Sequence, residues 1–251
     1  MRNEKVFQND PNSKLSPRNI SAEEHRLVLE AENVYGRFYK NAVDMYLLLF
    51  NFLDSVKSEG WVFISFLSQV HKHIMLSILS TVRHHNAQAL LDLRQVFEAG
   101  VLAAYATHEK SENAYYTIDA VSDKLNIIDS VRGKAYKWLE SSYAKHSETL
   151  KRQKEIINDL YAHSSMFLTH YNLSVEDPRE YKSLLFDRDT INQTKCNLWL
   201  IANTCWLFLD LYGHVIAETK IAQLNQDFMQ KLTELGQEND ALKKEQQKSK
   251  K

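Results

Sequence analysis

The sequence predicts an all-α protein, a helical bundle of about five to seven helices with a C-terminal amphipathic helix of coiled-coil type. Three observations carry this. Only three prolines and six glycines punctuate 251 residues, too few for a turn-rich β-fold. Apolar residues recur at helical spacing along most of the chain, and no stretch alternates apolar with polar residues between hairpin turns. The hydrophobic content of 44% suffices for a sizeable core.

The elements follow in order. Residues 1–19 are polar, contain Pro11 and Pro17, and read as a disordered N-terminal arm. Ser21 and Glu24 fit a capping box that opens the first helix. Leu27, Val34, Phe38, Val43, Tyr46 and Leu49 continue it until Ser58-Glu-Gly60. A second helical stretch starts at Trp61. Arg83-His-His-Asn86 is a break, a kink or an exposed turn, and the stretch resumes from Ala87 to about Thr107. Ser111 caps an expected helix through Tyr115, Ile118, Val121, Leu125 and Ile128 to Arg132-Gly133. One or two more helices occupy residues 134–170. The segment from Asn172 to Arg188 is the main irregular loop, and Asp177-Pro178 can open a short helix in it. Asp187 or Asp189 starts the final long helix through Leu198, Ile201, Trp206, Leu209 and Val215. The bundle domain therefore covers residues 20–218, and residues 219–251 form the C-terminal helix and a basic tail.

That C-terminal part carries its own period. Ile221, Phe228, Leu235 and Leu242 are spaced by seven, with Asn225, Leu232 and Asn239 as the companion series. They fit the d and a positions of a heptad, and asparagine at a fixes register in two-stranded coils. Glu238 and Lys243 fall at g and e. Gly236 interrupts the run. The helix either pairs with a second copy, making a homodimer, or folds back on its own domain.

With 31 basic and 32 acidic residues, no global field attracts nucleic acid. Cys196 and Cys205 lie in an apolar run without a turn between them, so they read as free thiols in a reducing cytoplasm. The N-terminus lacks the apolar stretch of a secretory signal. Trp61–Val82 and Leu198–Ala217 approach membrane character. The first holds Gln69, His71, Lys72 and His73 and the second Asn203, Asp210 and His214, so both are expected as buried helices without a membrane, with a membrane span as the lesser alternative.

Motifs with strong chemistry are missing. No glutamate is followed by histidine three residues later, and neither His-Glu-x-x-His nor Cys-x-x-Cys occurs, so no metal and no cofactor are expected. Asp210, His214 and Glu218 line one helix face, but they span roughly 12 Å by the helical rise, too far for one ion. Taken two at a time they can bind; a polar stripe is the plainer account. Phosphate loops and hydrolase elbows are absent as well.

The best candidates centre on Arg94 and Glu98. Arg94 falls in the apolar stripe Leu90, Phe97, Val101 and Tyr105, so it snorkels to the edge or is buried with a partner. Glu98, one turn on, can pair with it. The stretch "LYAHSSMFLTHYN" supplies further partners in Tyr161, His163, Ser165 and His170. His163 and His170 share a helix side. With Arg94 as anion clamp and a histidine as acid/base, these residues form either a catalytic pocket or a structural polar network.

"LLDLRQVFEAGVLAAYA" followed by "LYAHSSMFLTHYN" resembles a loosely defined family of bacterial all-helical proteins of unknown function, over roughly residues 40–215. Some proteins of this look resemble abortive-infection or phage-defence factors. The resemblance places Arg94, Glu98, Tyr161, Ser165 and His170 at the family's polar positions and implies no reaction. Arg18-Asn-Ile-Ser-Ala-Glu-Glu-His25 resembles the arginine–histidine signature of HEPN ribonucleases, at the start of the first helix instead of a core helix. The expected function is thus a non-catalytic interaction or regulatory protein of a bacterial stress or phage-defence system. It is probed against two alternatives, a metal-independent ribonuclease or toxin acting on RNA and a small-ligand-binding bundle.

Overall fold

The computed structural model describes residues 16–118, 125–174 and 190–248, with side chains left undescribed over residues 164–174 and at Ile118, Leu125 and Ile127. Among the described residues there are eight α-helices: α1 (Pro17–Tyr35), α2 (Arg37–Asn51), α3 (Trp61–Val82), α4 (Asn86–Ala106), α5 (Asp129–Ser142), α6 (Ala144–Ser174), α7 (Ile191–Thr219) and α8 (Phe228–Lys248). The all-α class holds. Two antiparallel ribbons of short strands accompany the helices, β1 (Leu53–Val56) with β4 (Ala222–Leu224) and β2 (Tyr116–Ile118) with β3 (Leu125–Ile127).

The first helix begins earlier than the capping box implies. Ser16 is the N-cap, accepting from the Asn19 amide at 3.3 Å, and Pro17 takes the first helical turn. Ser21 and Glu24 lie inside α1, where Glu24 binds His85 at 2.8 Å. Residues 17–19 are therefore helical, not part of an arm. Gly36, at φ +56, splits the expected first helix into α1 and α2.

His84, at φ +62, makes the Arg83–Asn86 stretch a true break. The turn is anchored on α1: Tyr35 Oη lies 3.1 Å from His84 Nε2, beside the Glu24–His85 contact. The helix expected from Ser111 does not form over the described residues 111–118 and 125–128. A 3-10 turn (Glu112–Ala114) and the β2–β3 hairpin take its place. Tertiary contacts explain this: Tyr115 is buried and donates to the Glu109 carbonyl at 2.8 Å, and Tyr116 stacks on Phe66 at 5.9 Å. Gly133, taken as a stop, sits within α5. Thr190 caps α7, accepting from the Gln193 amide at 3.2 Å.

Helix α7 is the central rod, touching α1, α2, α3, α4, α6 and α8. It and the stretch Ser58–Val82 are long and apolar enough to cross a membrane. Two thirds (67%) of the apolar window of α7 is buried inside the bundle, as in a core helix. Gly100 on α4 is required by close packing, because an added Cβ would meet Phe208 at 2.4 Å. Tyr212 donates to the Gly100 carbonyl at 3.2 Å and stacks on Phe52. Neither Cys196 nor Cys205 is in a disulfide, and burial pushes the Cys205 thiol up.

The heptad pattern of α8 is satisfied inside this chain. Lys220, in the left-handed region, ends α7 and turns the chain into β4, which brings α8 back across α2 and α7. Phe228, Leu232, Asn239 and Leu242 are buried there. Gly236 allows the approach of Trp206, whose Nε1 would lie 2.6 Å from an added Cβ. Glu238 pairs with Arg37 at 2.8 Å, and Lys243 lies over Trp199 at 5.3 Å, so both intended inter-chain residues have partners in cis. The seven-residue spacing thus reports a helix docked on its own bundle.

A directional series of amides ties four helices together. Asn41 on α2 donates to Asn239 on α8 at 3.1 Å, and Asn239 donates to Asn203 on α7 at 3.2 Å. Asn203 donates to Gln153 on α6 at 3.2 Å, and Gln153 to the Leu200 carbonyl at 3.4 Å. The Asn239 carbonyl also accepts from Trp199 at 2.9 Å. Asn239→Leu leaves the Asn41 donor and the Asn203 acceptor stranded. Chemical denaturation should show a loss of about 1–3 kcal/mol per stranded group, against under ~0.5 kcal/mol for a change at exposed Gln237.

Candidate functional site

Arg94 and Tyr161 do meet across the α4–α6 contact. The guanidinium lies over the Tyr161 ring, 5.0 Å from its centroid. Glu98 pairs with Arg132 on α5 at 3.3 Å. This corrects the expected Arg94–Glu98 pair: the approach of α5 offers Glu98 a cation that the sequence spacing does not reveal. His163 is exposed, and its Nδ1 bonds the Asp159 carbonyl of its own helix at 2.6 Å. Ser165 and His170 lie on α6, with side chains outside the described residues. Arg18 and His25 are both exposed on α1. What is described around Arg94 is a half-buried clasp between helices, with the charge on an aromatic face.

A second cluster gathers where the first turn of α6 meets the last turns of α7. His146 Nε2 lies 3.1 Å from Asp210 Oδ2, and His214 Nδ1 lies 3.9 Å from Asp210 Oδ1. The two imidazole rings meet edge to face at 4.9 Å. His214 Nδ1 also bonds the Asp210 carbonyl at 2.8 Å. One turn further, Tyr143 donates to Glu218. The hydrogen bond from His146 holds the Asp210 carboxyl below the usual carboxylate range, aided by the charges of His146, His214 and Lys145 and opposed by burial. Burial, then the Glu218 bond, pushes the Tyr143 hydroxyl up.

Sequence spacing finds Asp210, His214 and Glu218 but misses His146. It lies 64 residues away in a polar stretch, with no periodic relation to them. The i, i+4, i+8 stripe was the available signal; the facing helix is set by the fold alone.

The third feature is a groove of about 810 Å³ between α2, the β1–β4 ribbon and the start of α8. Leu47, Leu48, Leu224 and Leu235 line its apolar part, and Asp44, Asp54, Asp227 and Glu234 are acidic against a single Lys231. The ribbon holds it open: Leu53 pairs with Leu224, and the Asn225 amide donates to the Phe52 carbonyl at 2.9 Å. Leu47 and Phe50 remain 47% and 58% exposed on the α2 face beside it. Exposed apolar residues grouped in this way mark contact surfaces.

Two outcomes follow. A depressed folded pKa contributes stability above the ordinary carboxylate pKa, and this is lost as pH falls through the folded value. Asp210→Asn should therefore lower stability at neutral pH by about 1 kcal/mol or less, and the gap should close in melts below about pH 4. A double-mutant cycle of Arg94→Met with Tyr161→Leu should give a coupling of about 0.5–2 kcal/mol. No family model matches the chain, and no curated protein or solved structure matches it either.

Proposed function

We propose that the chain is a non-catalytic interaction protein whose groove seats a basic, amphipathic segment of a partner protein. The observation that carries this is the charge and shape of the groove: a leucine-lined floor, four carboxylates and one lysine. A basic helix or strand presenting apolar residues on one side would satisfy both parts. Small-ligand sites are concave and bury most of their ligand. This groove is open and carries four carboxylates beside its leucines, which suits a peptide better.

The setting proposed is regulation in the cytoplasm of a bacterium, within a stress or phage-defence system. Its support is the resemblance carried by the Arg94–Glu98 helix and the Tyr161–His170 stretch. Cleavage of RNA is the competing reading and needs Arg94 to work with His163 or His170. The contacts of Arg94 with Tyr161, and of His163 with its own helix, favour a structural role for both.

Fluorescence anisotropy with a labelled lysine–leucine amphipathic peptide tests the proposal. Binding should weaken with salt and by roughly tenfold in Leu47→Lys. Equal binding of the glutamate–leucine counterpart would overturn it. So would a concentration-dependent dimer in light scattering that Leu47→Lys abolishes, since the groove would then seat a second copy.

A further inference from the structure

We propose that His146, Asp210 and His214 form a binding site for a divalent transition metal, clamping α6 to α7. One donor atom from each lies within 4.8 Å of the other two. In a tetrahedral zinc site, neighbouring donors stand about 3.3 Å apart, as bond lengths near 2.0–2.1 Å require. His146 and Asp210 already stand at 3.1 Å. His214 must turn to join them, because its Nδ1, 3.9 Å from Asp210 Oδ1, is bonded to the Asp210 carbonyl; at 56% exposure a side-chain rotation that releases this bond and presents a ring nitrogen is open to it.

The donor set chooses the class of ion. Two imidazoles and one carboxylate suit zinc, cobalt or nickel, whereas calcium and magnesium want an all-oxygen shell. A bound cation would replace the hydrogen bond between His146 Nε2 and Asp210 Oδ2. Three ligands from the chain leave a fourth position facing solvent beside exposed His214. Glu218 stays outside the cluster, bonded to Tyr143. The two-turn span along α7 is bypassed because the third ligand comes from another helix.

The site is independent of the groove, and its test does not involve the partner peptide. Full-length, chelator-treated protein is titrated with Co²⁺ and followed by visible absorption, with Zn²⁺ as competitor and Mg²⁺ and Ca²⁺ as controls. The expected result is one Co²⁺ per chain, displaced by Zn²⁺, no response to the controls, and a metal-dependent rise in melting temperature. His214→Ala, at an exposed position, should keep the helical circular dichroism and lose affinity by more than ~10-fold. Asp210→Asn should do the same. Wild type showing no Co²⁺ spectrum would overturn the proposal. So would His214→Ala titrating like wild type, which would place the metal on other histidines. If His146→Gln fails to fold, the His214→Ala comparison decides alone.

Discussion

The bundle depends on how Asn239 is satisfied. Its side chain, itself buried, accepts from Asn41 and donates to Asn203, and its carbonyl accepts from Trp199. A buried amide without partners is costly, so α8 has one register on α2 and α7 in which these groups pair. Sliding the helix by one turn would leave several donors and acceptors stranded at once. The leucines around it supply most of the driving force, but apolar contact tolerates small shifts and hydrogen bonds do not. Placement of α8 in turn sets the β1–β4 ribbon and the groove beneath it. The determinant of helix register therefore also shapes the groove.

The same logic explains what the sequence revealed. Helix α7 was legible because Leu198, Ile201, Phe208 and Val215 repeat with helical period and little polar interruption. Heptad spacing in α8 was legible too, but spacing specifies a face and not its partner. Nothing local distinguishes an asparagine that meets another copy from one that meets Asn41, 198 residues earlier. The β2–β3 ribbon was hidden because Tyr115 fits a helical stripe with Ile118 and Leu125 equally well, and tertiary contacts, its bond to the Glu109 carbonyl and the stacking of Tyr116 on Phe66, select the extended form. Ser21 with Glu24 imitated a cap already provided by Ser16.

The polar candidates divide by the same rule. The Arg94–Tyr161 contact was within reach because both residues sit on strongly periodic helices facing a common core. The Glu98–Arg132 pair was not, since α5 was placed only once the hairpin before it existed. His146 belongs with the second group. Chemistry assembled from remote helices becomes visible when topology brings their ends together, as it does for the imidazoles of His146 and His214 around Asp210.

Helix α2 carries a consequence for how the chain is made. Its buried face, including Phe38, Met45 and Leu49, is covered largely by α7 and α8, which are synthesised well over a hundred residues later. Until they arrive, those aromatic and aliphatic side chains face water, and the α3–α4 hairpin beside them is too apolar to stay soluble comfortably. Nascent chains must therefore wait, half assembled and adhesive, until these two helices have been made.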